Sequence, residues 1–154
     1  MFVGEAPGAR EDRLGAPFVG RSGALLDQML DEIGRQRGDV FIANALKCRP
    51  PANRNPTRPE LAACRPWLDA QVRLIRPRVI ATLGNFATRL LTGSDAAIST
   101  VRGRPQQHTL GGHRVWIFPL YHPAAVLRNR ALMTTMRTDF LALRALVEGA
   151  GLPR

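Results

Sequence analysis

Lysine, cysteine and long apolar runs are all scarce in this chain. Lys47 is the only lysine among 22 basic residues, so arginine carries almost all of the positive charge. No apolar run approaches the ~20 residues of a membrane-spanning helix, and the N-terminus lacks the basic-then-apolar pattern of a signal peptide. These absences predict a cytoplasmic protein. In that reducing compartment Cys48 and Cys64 are not expected to form a structural disulfide, and the simplest interpretation is two small buried apolar residues.

The charge balance favours a polyanionic partner over a membrane. The formal net charge is +10, and the planar arginine guanidinium suits phosphate groups. The alternative is an arginine-rich composition spread over a solvated surface. Position favours nucleic acid, because several arginines fall in the loops that carry the motifs below: Arg10, Arg13, Arg21, Arg49, Arg54, Arg58, Arg128 and Arg130.

Short β-rich runs alternate with longer helical periods along the 154 residues. This alternation is typical of one domain with a mostly parallel sheet covered by helices. We predict a loop after the first strand up to Gly20, a helix capped by Ser22, and a second strand that ends at Asn44. Further predicted elements are a helix from the Thr57/Glu60 capping box to about Arg76, a strand over Val79–Leu83, a short helix ended by Gly93, a hairpin turn at Gly111–Gly112, and a last helix from about Leu132 to Glu148.

Two motifs follow predicted strands and indicate one site. Gly4-Glu5-Ala6-Pro7-Gly8 comes directly after Met1-Phe2-Val3, and the segment from His122 to Asn129 follows the apolar run that begins at Val115. Ligands of open α/β sheets bind at the carboxyl ends of the strands. We therefore expect both motifs to border one pocket.

These residues resemble the family 4 uracil-DNA glycosylases. The first motif continues through Glu11-Asp12, Gly15 and the segment from Pro17 to Gly23; Asn44 to Pro51 and Cys64 to Leu68 resemble the family's middle segment, and His122 to Asn129 its second motif. The resemblance covers almost the whole chain. It implies a three-layer α/β/α fold with a central, mostly parallel four-stranded sheet, and an enzyme that removes uracil from DNA at the start of base excision repair.

The resemblance assigns three side chains to the base, each of which has a plainer alternative. Phe18 would stack on uracil, although it could be an ordinary core phenylalanine. Asn44 would read the base edge by a two-point hydrogen bond that cytosine cannot match, unless it satisfies loop backbone at a strand end. His122 would donate to uracil O2 as the glycosidic bond breaks, unless it is merely packed at the end of a strand.

The residue that directs the attacking water stays open. Other uracil glycosylases carry an aspartate after the first two motif residues, whereas this chain resembles its family in having Ala6, whose backbone N–H would lie near the base. Because the transition state is close to an oxocarbenium ion, a carboxylate could act mainly by electrostatics. Glu5 and Glu11 are candidates for that role, and Asn53 could hold the water instead.

The second motif also supplies candidate DNA contacts. Leu127 or Arg128 is the candidate wedge for the gap left by a flipped nucleotide, with Asn129 beside them. Ordinary packing is the alternative for Leu127. We expect uracil-containing DNA as the partner, no membrane association and a monomer.

The resemblance also implies a 4Fe–4S cluster held by four cysteines, of which only Cys48 and Cys64 match ligand positions here. A complete cluster ordinarily needs one protein ligand for each iron, so the cluster could be absent from this chain. We expect residues 1–154 to form a single glycosylase domain that lacks an N-terminal cysteine segment because the start was set at an internal methionine; loss of the cluster is the alternative.

The residues bear on three other functions. A glycosylase variant trapped covalently through a histidine in an inserted loop is disfavoured, because the chain has no histidine between Lys47 and Pro56. A non-catalytic DNA-binding module of the same fold is compatible with the charge. A nucleotide- or phosphate-binding protein is disfavoured, because the first glycine-rich loop lacks both the Walker lysine and the dinucleotide glycine spacing.

Overall fold

The computed structural model describes residues 1–149 as a sheet flanked by helices. The strands are β1 (Phe2–Gly4), β2 (Ile42–Asn44), β3 (Val79–Leu83), β4 (Gln106–Leu110) and β5 (His113–Leu120). The helices are α1 (Ala9–Leu14), α2 (Arg21–Glu32), α3 (Arg58–Ile75), α4 (Gly84–Thr92), α5 (Ile98–Val101), α6 (Pro123–Arg128) and α7 (Met133–Val147), and short 3-10 turns cover Arg37–Asp39, Pro51–Asn53 and Arg130–Leu132.

The sheet has the strand order β2-β1-β3-β5-β4. Strands β2, β1, β3 and β5 run parallel, with Val3 opposite both Ala43 and Thr82. This confirms the mostly parallel core of four strands. The hairpin at Gly111 adds β4 antiparallel to β5 as a fifth strand, so the sheet is one strand wider than predicted. The carboxyl ends of the four parallel strands meet at one edge.

Helices cover both faces of the sheet and give the expected three layers. On one face, α2, α6 and α7 bury a large apolar cluster that includes Phe118 and Phe140. On the other face, α3 and α4 bury a smaller cluster around Ile80 and Ile117. Within residues 1–149, none of the helices combines the length and apolar character required to cross a bilayer.

Several local signals position elements as predicted. Thr57 and Glu60 form the reciprocal capping box of α3, and that helix ends at Ile75 with Arg76 as its C-cap. Gly93 caps α4 in the left-handed region, at φ 70°, which glycine adopts without a Cβ clash. These elements hold the loops of the carboxyl edge on a rigid frame.

Two predictions for the first loop are wrong. The sequence predicts a loop up to Gly20, but α1 covers Ala9–Leu14. Helix α2 has Gly20, not Ser22, as its N-cap, without a side-chain cap. The Glu11 carboxylate explains the shift, because Glu11 Oε1 accepts the N–H groups of Val19 at 3.0 Å and Gly20 at 2.8 Å. A side chain from α1 thus anchors the residues that lead into α2.

Candidate active site

A cavity of about 410 Å³ opens at the carboxyl edge of the sheet. It lies where β1 and β2 end and where the chain leaves β5 for α6. The side chains around it come from segments that are distant in sequence, and it is the parallel register of the strands that brings them together. Its lining consists of Glu5, Ala6, Pro7, Gly8, Glu11, Phe18, Ser22, Asn44, Pro50, Asn53, Arg54, His122 and Ala124.

Phe18 forms an aromatic wall of this cavity. Its side chain is 5% exposed and packs into the larger apolar cluster, so it is both a core residue and a cavity residue. The ring centroid lies 5.7 Å from that of His122, at an interplanar angle of 33°. A Cβ atom at Gly4 would meet Phe18 Cζ at 2.6 Å. The absence of a side chain at position 4 therefore leaves the space that the Phe18 ring occupies.

Asn44 presents a buried amide to the cavity. The residue is 5% exposed, and its Oδ1 atom has no hydrogen-bond partner among the described residues. The Asn44 backbone carbonyl accepts a hydrogen bond from Lys47 Nζ at 2.7 Å, so the loop backbone is satisfied by another side chain. A buried unpaired polar atom is costly. Its presence here marks the amide as a group that a ligand can satisfy.

His122 is held as a neutral imidazole. Its Nδ1 accepts the backbone N–H of Ala124 at 3.0 Å and thereby caps α6. Burial lowers the pKa of His122 to about 4, and the charge of Arg128 acts in the same direction. Because Nδ1 is occupied as an acceptor, the single proton of the neutral ring resides on Nε2. The side chain can thus donate one hydrogen bond into the cavity.

Glu5, Glu11 and Asn53 all line the cavity but differ in their partners. Burial raises the pKa of the Glu5 carboxyl above its ordinary value. For Glu11, burial acts to raise the pKa, but surrounding backbone N–H groups outweigh it and lower the pKa overall. Asn53 has a left-handed backbone, at φ 54°, and its Oδ1 accepts a hydrogen bond from Arg49 Nε at 2.8 Å.

The second motif forms the rim between this cavity and a neighbouring one of about 810 Å³. Arg128 is exposed and lines the neighbouring cavity. Leu127 is half-buried and packs against the larger apolar cluster. Asn129 is exposed, and its Oδ1 accepts the N–H of Ala131 at 3.2 Å. Of the two candidate wedges, Arg128 thus has the freer side chain.

The two cysteines lie on neighbouring segments. The expectation of two small buried residues is wrong, because Cys48 is exposed and Cys64 is half-buried. The backbone N–H of Lys47 donates to Cys64 Sγ at 3.4 Å. Within residues 1–149, no group of three or more His, Cys, Asp or Glu side chains is arranged to hold a metal ion. Two thiols fall short of the four ligands of an iron–sulfur cluster. The described residues therefore do not fit that cofactor by themselves.

One residue beside the site has no counterpart in the sequence-based prediction. Arg37, from the 3-10 turn after α2, donates to the backbone carbonyls of Pro17 and Phe18. Neither motif contains it, and its nearest signal is its place in a capping-box turn between Gln36 and Asp39. The Arg37–Phe18 contact joins residues nineteen positions apart, and hydrophobic periodicity does not indicate such a contact.

Comparison with known proteins assigns the chain to a protein family. The family model described as the uracil DNA glycosylase superfamily matches residues 1–144, and the chain belongs to that superfamily. Within it, a type-4 uracil-DNA glycosylase of Sulfurisphaera tokodaii is 45% identical over 151 residues, covering 95% of this chain and 69% of the relative. The type-4 protein of Thermotoga maritima is 49% identical over 132 residues, covering 85% and 67% respectively. The resemblance to family 4 is thereby confirmed.

The type-5 branch is more distant. A type-5 uracil-DNA glycosylase of Pyrobaculum aerophilum is 31% identical over 149 residues and covers 87% of this chain. The difference in identity agrees with the motifs, which match family 4 in order and spacing.

Proposed function

We propose that this chain is a uracil-DNA glycosylase that hydrolyses the N-glycosidic bond of a deoxyuridine flipped out of DNA, the first step of base excision repair. One observation carries the proposal: Asn44, whose buried Oδ1 has no hydrogen-bond partner among the described residues, lies in the same cavity as the Phe18 ring and the neutral His122 imidazole. The names of the type-4 relatives support the same activity.

Asn44 would select uracil by satisfying its edge. Uracil offers an N3–H donor beside the O4 acceptor, and a carboxamide offers the matching acceptor and donor. Cytosine exchanges the two roles, so it would leave both amide atoms of Asn44 facing like partners. A site built around a specific hydrogen bond discriminates strongly because the wrong ligand leaves buried polar groups unpaired.

Phe18 would provide the surface on which the flipped base stacks. Extrusion of a base costs a few kcal/mol of stacking and pairing, and stacking on an aromatic side chain returns about 1–3 kcal/mol. Burial against the apolar cluster limits movement of the Phe18 ring away from the cavity.

His122 would stabilise the departing base. When the glycosidic bond breaks, the bonding electron pair stays with uracil, and negative charge builds on its O2 oxygen. The Nε2–H group of His122 would donate to that oxygen. One preorganised donor of this kind is typically worth about 3 kcal/mol. A neutral donor has a further use, since it stabilises the uracil anion without transferring its proton.

We assign the sugar side of the reaction to Glu5. Its carboxyl borders both cavities, whereas the Glu11 carboxylate holds the Phe18 loop and the Asn53 amide accepts from Arg49. A carboxylate at Glu5 would stabilise positive charge on the deoxyribose and orient the water whose oxygen bonds to C1′. The water's proton leaves to solvent or to that carboxylate.

The neighbouring cavity and its rim would accept the DNA backbone. Exposed Arg128 lies on this rim and would fill the gap left by the flipped nucleotide or contact a phosphate, beside Asn129. Arginine contacts to phosphate make binding salt-dependent. No step of this proposal passes through an iron–sulfur cluster.

The test is cleavage of an oligonucleotide with one uracil, compared with the same sequence carrying thymine, with alkali to reveal abasic sites. We expect strand breaks at uracil alone, and we expect Asn44→Ala and His122→Ala to remove most of the activity. A folded chain that binds this DNA but leaves uracil attached would overturn the proposal in favour of a non-catalytic DNA-binding module.

A further inference from the structure

Phe18 has a backbone conformation that a bulky residue rarely adopts. Its φ of 51° lies in the left-handed region, where an L side chain is strained. Such a conformation persists only when the surrounding structure enforces it. The ring that lines the cavity therefore depends on whatever holds the two peptide groups on either side of Phe18.

Both peptide groups are held by charged side chains. Arg37 Nη2 donates to the Pro17 carbonyl, which belongs to the peptide before Phe18. Arg37 Nη1 donates to the Phe18 carbonyl at 2.8 Å, and Glu11 accepts the N–H of the same peptide, that of Val19, at 3.0 Å. The guanidinium thus binds the carbonyl groups before and after the Cα atom of Phe18. Glu11 binds the N–H end of the second peptide group.

Packing leaves the Phe18 carbonyl little freedom. A Cβ atom at Gly23 would lie 1.8 Å from that oxygen, so the peptide rests directly on the backbone of α2. Arg37 approaches from the 3-10 turn that follows α2, and its Nη1 also donates to Asp27 Oδ1 on α2 at 3.0 Å. Asp27 therefore orients the guanidinium toward the loop.

Arginine is suited to this arrangement and lysine is not. The planar guanidinium directs several N–H donors along fixed directions, so one group can serve two carbonyls and a carboxylate together. The Arg37 side chain is 34% exposed and does not line the cavity. Its influence on a bound base would therefore pass through Phe18.

We propose that Arg37 is a positioning residue, whose guanidinium clamps the Pro17 and Phe18 carbonyls and thereby holds the Phe18 ring in its base-stacking orientation. The inference rests on the proposed function for its kinetic consequence. Its structural basis, the clamp on a strained residue, stands independently of the reaction.

A double-mutant cycle tests the inference. We expect Arg37→Ala to lower kcat/KM on uracil-containing DNA by roughly tenfold, because a displacement of about 1 Å at a site can cost up to about a hundredfold. In the Phe18→Ala background the same substitution should cost less than about twofold, since residues that act through one another are not additive. Arg37→Lys should restore only part of the activity.

Arg35→Ala is the matched control. Arg35 is exposed, lies two positions away, and makes only a long contact of 3.8 Å to Glu148 among its described ion pairs. We expect wild-type kcat/KM for this variant. Wild-type activity in Arg37→Ala, or an equal loss from Arg37→Ala with and without Phe18, would overturn the inference, while an inactive wild-type chain would overturn the proposed function instead.

A spectroscopic readout keeps the clamp testable without catalysis. In the wild-type chain the Phe18 and His122 rings lie 5.7 Å apart, which should give cross-relaxation between their protons in NMR spectra. In Arg37→Ala we expect this cross-peak to weaken while the signals of the β3 and β5 residues keep their positions. An unchanged cross-peak in that variant would refute the clamp.

Discussion

Gly4 packs closely against the Asn44 amide, and a Cβ atom at position 4 would be 2.6 Å from Asn44 Oδ1. The same atom would be 2.6 Å from Phe18 Cζ. Both neighbours are buried, so neither can move aside without loss of packing. Position 4 therefore controls the shape of the cavity without contributing a side chain to it.

Gly4→Ala should impair the enzyme more than it impairs folding. The added methyl group would displace the Asn44 amide and the Phe18 ring, and we expect kcat/KM on uracil-containing DNA to fall by at least about tenfold. Steady-state kinetics combined with thermal unfolding checks this. Gly38→Ala is the control, because a Cβ atom there meets no atom within 4 Å; equal activity of the two variants would contradict the close approach.

Asn44→Asp should relax the choice between uracil and cytosine. A carboxylate is an acceptor only, and a protonated carboxyl presents a donor beside an acceptor in either order. Cleavage at uracil should fall, and cleavage at cytosine should become measurable relative to it. Matched oligonucleotides with uracil or cytosine in one position report the ratio. Gln107→Glu makes the same amide-to-carboxylate change at an exposed residue of β4 that lines neither cavity, and it should leave the ratio unchanged. An unchanged ratio in Asn44→Asp would remove Asn44 from recognition.

His122 should make the folded state less stable as the solution becomes acidic. Burial lowers its pKa to about 4 from the ordinary 6.5, so between these values the unfolded chain binds a proton that the folded chain does not. Stability contributed in this way is present above pH 6.5 and is lost as the pH falls toward 4. Denaturant unfolding of wild type and His122→Gln across this pH range measures how much of the pH dependence of the free energy of unfolding comes from His122. Parallel stability curves for the two proteins would contradict a half-buried His122 that is neutral in the folded state.

Substitutions of Glu5 and Glu11 should cause different defects, one in catalysis alone and the other in both catalysis and stability. Glu5→Gln should lower kcat while the unfolding temperature stays unchanged, because Glu5 lines the two cavities and its carboxyl is not used to anchor another segment among the described residues. Glu11→Ala should lower both, since it frees the Val19 and Gly20 N–H groups. Asp12→Asn, on the exposed side of α1, serves as the control. A stable Glu11→Ala protein with full activity would argue against the anchor.

Much of the fold was predictable because its signals are short-range. The capping box of Thr57, the turn at Gly111 and the apolar strand Val79–Leu83 each depend on residues within a few positions. The strand order could not be predicted in this way. Strand β1 lies between β2 and β3, and this placement depends on how the crossover connections pack, which no local sequence pattern indicates. Helix α1 was missed since its sequence has glycine and proline on both sides and none of its residues is buried.

The candidate site shows the same division. Phe18, Asn44 and His122 follow strands or stand in motifs, so family resemblance could nominate them. The state of each group became visible only in the folded geometry. Asn44 Oδ1 has no partner among the described residues, His122 Nδ1 accepts the Ala124 N–H and leaves the proton on Nε2, and the Glu11 carboxylate accepts the Gly20 N–H. Arg37 was missed entirely, because its role arises only when its turn folds back on the Phe18 loop.

The hydrogen bond from Ala124 N–H to His122 Nδ1 has a consequence for mutational robustness. The proton position on the imidazole is set by main chain, so side-chain replacements elsewhere in the pocket leave the tautomer unchanged. A backbone donor also brings no negative charge next to the ring, as a carboxylate partner would, and so does not oppose the anion that forms on the departing base. Only a change that removes the main-chain donor itself, such as Ala124→Pro, would release the ring to exchange tautomers.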